Sequence, residues 1–339
     1  MQKQSLSILK FLFFLGIGIL LIWLAVRNLT ENDKASIAEA FKQTNYFWIF
    51  VSLLLSILSH VARAIRWRIL IQPLGFNPKL SNTFFAVMVG YLANFALPRL
   101  GEVSRCGVLS KYEKIPFTEA FGTVIAERII DLICLIIIFF ATLIFQFNEL
   151  WGLTNDKIVH PASVKLSSLL QNNSFLIVFG MVMIGVTASF FVFRKKNNGV
   201  LSKKIKGVLH GFVEGLKSVK NIDRPYLFIF YTLLIWLLYI SSIFIGFLCF
   251  KETSQLGIAA AFAVLIFSTL GVIFVPGGTG ASQALVTETL STIFKISFTF
   301  SFAFAWLMWT SQFVLILILG VISLILLPLL NKEAVLKKD

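Results

Sequence analysis

Six apolar runs of 17 to 29 residues recur along the chain, at about 9–26, 46–62, 129–147, 174–193, 225–250 and 300–328. A helix needs roughly 20 apolar residues to cross the hydrocarbon core of a bilayer. The chain is therefore read as all-α, a polytopic membrane helical bundle with about six full spans. Composition agrees: 58% of the residues are hydrophobic and 14% charged, against about 25% charged in soluble domains. Lys3 and Lys10 before the first run resemble a signal peptide, but Trp23 and Ala25 make a poor cleavage site, so that run is read as a retained helix.

Two further apolar runs, 83–97 and 258–275, end in helix-breaking loops. The first runs into Pro98-Arg99-Leu100-Gly101, the second into Pro276-Gly277-Gly278-Thr279-Gly280, and each resumes as a moderately apolar stretch. Loop charge sets the orientation. Segments 1–10, 63–82, 99–128, 194–224 and 332–339 hold 23 basic residues, and segments 27–45, 148–173 and 251–297 hold 7. Basic loops favour the cytoplasm, which places both termini there, in the inner (cytoplasmic) membrane. The net charge of +14 is read the same way, with no nucleic-acid partner. The partition requires each broken pair to return to its starting side, the first from the cytoplasm and the second from outside. Residues 46–147 and 225–330 then read as two half-repeats of opposite orientation within one integral membrane domain, 1–339. That is the pattern of inverted-repeat transporters, whose broken helices line a midplane site. Between the halves, 201–220 reads as a basic amphipathic connector on the inner leaflet.

Ionisable residues within apolar segments need a partner, a wet cavity or the interface. The densest group is Asn94, Pro98, Arg99, Gly101, Glu102 and Arg105, followed by Glu127, Arg128 and Asp131. Spacings of three allow Arg99–Glu102 and Glu102–Arg105 to pair along one helix, and Glu127 and Asp131 share a face. Guanidinium forks suit phosphate oxygens, so an anionic headgroup is one occupant of this cluster; a purely structural ion-pair lattice is the other reading. Arg63 and Arg66 are further headgroup contacts, with snorkelling to lipid phosphates as the default for the end of a span. Pro276, Gly277, Gly278 and Gly280 lack the Lys-Ser/Thr of a nucleotide loop and are read as cavity-lining backbone. No zinc-protease or hydrolase motif is present and no C-x-x-C pair occurs, so neither enzyme activity nor a metal or cofactor is expected.

The series Arg63-x-x-Arg66-Trp67-Arg68, Pro98-Arg99-x-Gly101-Glu102-x-x-Arg105, Glu127-Arg128-x-x-Asp131 and Pro276-Gly277-Gly278-x-Gly280 resembles the transmembrane-region family of lysylphosphatidylglycerol synthase, also described as flippase-like integral membrane proteins. The resemblance implies a bundle that moves a lipid between leaflets: an aminoacylated or plain anionic phospholipid, or a polyprenyl phosphate. In the multiple peptide resistance factor such a domain is joined to a soluble aminoacyl-transferase domain. This chain ends nine residues after Leu330 and is expected to rely on a separate lipid-synthesising or energising partner. The family often carries a Glu soon after its Pro-Gly-Gly loop, where this chain has Ser282-Gln283, and Gln283 cannot take up a proton. On this reading Arg99 and Arg105 hold the headgroup while Glu102, Glu127 and Asp131 orient them. Rival readings are a secondary transporter of a small soluble anion and an intramembrane lipid-modifying transferase. A lateral opening to lipid favours translocation, and a sealed pocket favours a solute carrier.

Overall fold

The computed structural model describes residues 30–97, 99–145 and 222–332. The runs at 9–26 and 174–193, the connector 201–220, and Pro98 lie outside the described residues. Nine α-helices and no strands occur among the described residues: α1 (Glu31–Lys42), α2 (Tyr46–Ile71), α3 (Leu80–Ala96), α4 (Leu100–Glu113), α5 (Phe117–Phe145), α6 (Pro225–Gly246), α7 (Ile258–Phe274), α8 (Ala281–Glu288) and α9 (Phe298–Leu330). The fold is a helical membrane bundle. α2, α6 and α9 are long and apolar enough to cross a membrane. α5, with 29 residues, reaches roughly 43 Å at 1.5 Å per residue.

Local chemistry sets the helix ends. Asn45 caps α2 by accepting from the Phe47 N–H, and Pro225 opens α6 at its first position, where a missing N–H costs nothing. α3 and α4 form one hairpin, α7 and α8 another. Glu113 at the end of α4 accepts from the Lys79 N–H (3.0 Å) and the Asn82 amide (2.6 Å), and Asn82 also pairs with Asn331 at the end of α9. At the opposite end the Asn45 N–H donates to the Cys249 carbonyl (2.9 Å), where α6 hands on to α7. The first hairpin thus enters the bundle from one end and the second from the other.

Along α2 the environment changes in four steps. Ile49 packs with Phe247, Phe250 and Phe304 in one apolar core. Ser52, Ser56, Ser59 and His60 follow as a buried polar stripe. Arg63 and Arg66 come next, and Trp67, Leu70 and Ile71 join a second apolar core with Leu109, Ile115 and Val124. Polar machinery therefore sits between two apolar ends. α2 and α6 are laced by Ser52 and Ser242, each hydroxyl donating to the other's carbonyl (2.9 and 3.1 Å); such interhelical bonds average about 0.6 kcal/mol in a membrane. Apolar side chains on α5, α6 and α9, among them Ile137, Phe140, Leu233, Leu237, Leu324 and Ile325, face outward, as a lipid-bathed surface requires.

The run at 46–62 continues as helix to Ile71, and the run at 129–147 begins twelve residues earlier, at Phe117. Each extension draws charged residues into the bundle. This corrects the snorkelling expectation for Arg63 and Arg66, which are 5% and 0% exposed. It also corrects the charge count, since Arg63, Arg66, Arg99, Arg105 and Arg128 belong to buried pairs or a cavity wall rather than to loops. Without them the bias is 18 basic residues to 7, the same in sign.

Candidate functional site

The two hairpin tips follow the same backbone path. Leu97 and Val275 are extended (φ −146°, ψ 139° and φ −127°, ψ 135°). Two residues later Arg99 and Gly277 turn into the left-handed region (φ 64°, ψ 4° and φ 62°, ψ 5°). In both, the extended residue's N–H closes the preceding helix, on Ala93 (3.1 Å) and Gly271 (3.0 Å), and its carbonyl accepts from three residues on, Leu100 (3.2 Å) and Gly278 (2.8 Å). A glycine suits this turn at Gly277, where a Cβ would also run into the Phe95 ring. An arginine there costs about 1–2 kcal/mol. Backbone strain of this kind collects at functional sites, and the Arg99 side chain is exposed toward a cavity. The first tip is braced by Asn94, whose side-chain oxygen accepts from the Gly101 N–H at 2.7 Å. Gly101 has no room for a Cβ between Asn94 and the Gly90 carbonyl. The second tip is pinned by the Trp309 indole, which donates to the Gly277 carbonyl at 2.8 Å.

Between the tips lies a cavity of about 580 Å³. Arg99, Glu102, Arg128 and Asn94 form a charged wall, and Pro276 and Gly277 lie across from them. Tyr91, Tyr239, His60, Ser56, Ser242 and Gln312 supply further polar groups. The remainder is aliphatic and aromatic, including Phe95, Ile243, Leu265, Met308 and Phe313. Val272 and Ile273 line the cavity yet are 52% and 62% exposed. Both stand at the apolar end of α7.

Behind the charged wall stands a separate, enclosed lattice. Glu127 is fully buried and receives Arg63, Arg66 (3.4 Å) and Arg105 (3.2 Å). Asp131, one turn on, receives Arg63 (2.9 Å) and Arg66 (2.8 Å). Arg105 also lies over the Trp67 ring at 4.6 Å, a cation–π contact that strengthens away from water. The Trp67 indole is fixed by Thr123 at 2.9 Å. Nearer the cavity, Arg128 pairs with Glu102 at 3.1 Å, with 43% and 19% of their side chains exposed. Arg99 has no ion-pair partner among the described residues. Five guanidinium groups against three carboxylates leave two positive charges around the cavity, an arrangement that attracts an anion. A chain links lattice to cavity: Arg63 donates to the Tyr239 hydroxyl at 3.2 Å, which lies 3.5 Å from the Tyr91 hydroxyl.

The sequence profile of the lysylphosphatidylglycerol synthase TM region matches residues 7–320. The chain belongs to this family. It is similar to a UPF0104 membrane protein of Methanocaldococcus jannaschii, 27% identical over 96% of this chain and 95% of that one. A second UPF0104 membrane protein, from Methanothermobacter thermautotrophicus, is 23% identical over 74% of this chain and 77% of its own length. No solved structure matches the chain.

In this lysylphosphatidylglycerol synthase TM-region protein the sequence-derived cluster divides in two. Asn94, Arg99, Glu102, Arg128, Pro276 and Gly277 line the cavity. Arg105, Glu127 and Asp131 do not, and join Arg63 and Arg66 in the lattice. The expected pairing along one helix gives way to pairing between helices: Glu102 goes to Arg128 and Arg105 to Glu127. Arg99 stands in a left-handed turn ahead of α4, off the helical register that a pairing with Glu102 needs. Gly101 packs within the first hairpin, and Gly278 and Gly280 carry positive φ in the second. Gln283 is buried off the cavity wall, its amide without a hydrogen-bond partner among the described residues. His60, Tyr91, Tyr239, Ser56, Ser242, Trp309 and Gln312 were missed. A periodic polar stripe at Ser52, Ser56, Ser59, His60 and Arg63 marks the buried face of α2 and was the available signal for two of them.

Proposed function

We propose that this protein moves an anionic lipid between the leaflets of the cytoplasmic membrane, without covalent chemistry. The observation that carries the reading is the cavity itself. It joins a cationic wall at Arg99 and Arg128 to an aliphatic wall that includes the half-exposed Val272 and Ile273. Such a shape suits an amphiphile whose phosphate lies at the charged wall while its acyl or prenyl chains stay in the bilayer. A soluble anion has no use for so extensive an apolar lining. The substrate is an aminoacylated or plain anionic phospholipid, or a polyprenyl phosphate, supplied by a separate enzyme.

Two hairpins entering from opposite ends, with matching turns at their tips, support a pair of inverted half-repeats. In transporters of that kind, alternating access comes from rocking one repeat against the other. The basic-loop bias supports cytoplasmic termini. The test is exchange of headgroup-labelled phosphatidylglycerol between leaflets in proteoliposomes. Exchange above that of protein-free vesicles, and at least tenfold faster than for labelled phosphatidylcholine, is expected. Equal rates for both lipids, or uptake of a soluble phosphodiester with no lipid exchange, would overturn the reading.

A further inference from the structure

We propose that His60 is the proton-binding group of this site, taking up one proton when a phosphate-ester anion enters the cavity. The inference rests on the translocation reading and names its coupling ion.

His60 forms part of the cavity wall and is 5% exposed. Both ring nitrogens are enclosed without a hydrogen-bond partner among the described residues. A neutral imidazole offers one donor and one acceptor, and buried polar groups almost always find partners. The two enclosed nitrogens therefore hold unused hydrogen-bonding capacity beside the cavity, which a proton and a phosphate oxygen satisfy once the ring turns toward the occupant. The ring stands beside Tyr91, whose own ring is centred 4.8 Å away at 46°.

The surrounding charges make protonation depend on the occupant. On the same helix Arg63 lies one turn away. α3 presents Tyr91 and α6 presents Tyr239; Arg99 from the first tip, Glu102 from α4 and Arg128 from α5 also line the cavity. α7, α8 and α9 contribute no titratable side chain to the cavity wall. Glu102 is held by Arg128, and the acids behind Arg63, Glu127 and Asp131, are shared among Arg63, Arg66 and Arg105. Every nearby carboxylate is thus already engaged. An imidazolium beside Arg63 is a like-charge pair, whereas an imidazolium beside a phosphate is an ion pair, and the low dielectric of the site enlarges the difference. The proton passes from water to the free ring lone pair, forms an N–H, donates to the phosphate, and returns to water when the lipid leaves. One proton accompanies one negative charge, and no bond to the lipid forms or breaks. By linkage, proton and anion raise each other's affinity by the same factor.

Calorimetric titration of the full detergent-solubilised chain in two buffers of different ionisation heat reads protons taken up per ligand bound. The probes are dihexanoyl phosphatidylglycerol and its deacylated headgroup glycerophosphoglycerol, which separate a lipid from a soluble phosphodiester, with dihexanoyl phosphatidylcholine as the zwitterionic control. We expect proton uptake with phosphatidylglycerol that grows as the pH falls from about 7 toward about 5, and none with His60→Gln. The double variant His160→Gln/His210→Gln, which leaves His60 as the only imidazole, retains the uptake and keeps the test decisive if His60→Gln does not fold. Unchanged uptake in His60→Gln, loss of uptake in the double variant, or binding by the wild type with no uptake overturns the role of His60 and leaves the translocation reading standing. Failure of phosphatidylglycerol to bind at any pH overturns both, and proton-linked binding of the headgroup alone moves His60 to a soluble-anion carrier.

Discussion

The two hairpin tips share a turn but not a chemistry. At the left-handed position the first tip has Arg99 and the second has Gly277, with nearly identical dihedral angles. After the turn the first chain goes directly into α4, which carries Glu102 and Arg105, whereas the second makes a short helical turn at Pro276–Gly278 before the eight-residue α8. The first tip therefore brings charge to the cavity, and the second brings glycine backbone without charge. On the proposed reading, asymmetric filling of a shared turn gives the headgroup its contacts in one half and leaves the other half to the lipid chains.

The comparison is broken most severely at the support of the first tip. Glu127→Ala leaves Arg63 and Arg66 with Asp131, and leaves Arg105 with no carboxylate partner among the described residues. Losing one member of a buried pair costs about 3–5 kcal/mol, so the unfolding midpoint in detergent drops sharply. The second tip is broken next: Gly277→Val places a β-branched residue at φ 62° and against Phe95. About 2 kcal/mol of stability is lost, and exchange slows because Trp309 loses its seat on the turn. Arg99→Gly makes the first tip like the second. Relief of the left-handed arginine raises stability by about 1 kcal/mol, seen as an unchanged or higher unfolding midpoint. Smallest is Arg128→Ala, whose half-exposed pair with Glu102 is worth less than about 1 kcal/mol in stability; its effect appears as weaker phosphatidylglycerol binding.

The hairpins and the long helices were legible because Pro and Gly interrupt apolar runs that are otherwise uniform, and the charged cluster was legible because arginines and carboxylates are rare in such runs. What the sequence conceals is how far a helix continues past its apolar run. α2 reaches Ile71 because Arg63 and Arg66 find Glu127 and Asp131 on α5, a pairing across 60 or more positions that no local pattern announces. The same concealment placed Arg105 with Arg99 as a headgroup ligand, although Arg105 turns to Glu127 and lies off the cavity wall. His60 and the two tyrosines were missed for a related reason: each is an ordinary residue of an apolar helix until three helices converge on it.

Leaflet exchange of labelled phosphatidylglycerol by Arg99→Gly, read beside its unfolding midpoint, tests the division of the cluster most directly. If Arg99 holds the headgroup and the lattice only supports it, exchange falls at least about tenfold, equivalent to about 1.4 kcal/mol, while the midpoint holds or rises. Exchange at the wild-type rate, or a loss of exchange that merely follows a loss of stability, would contradict the account.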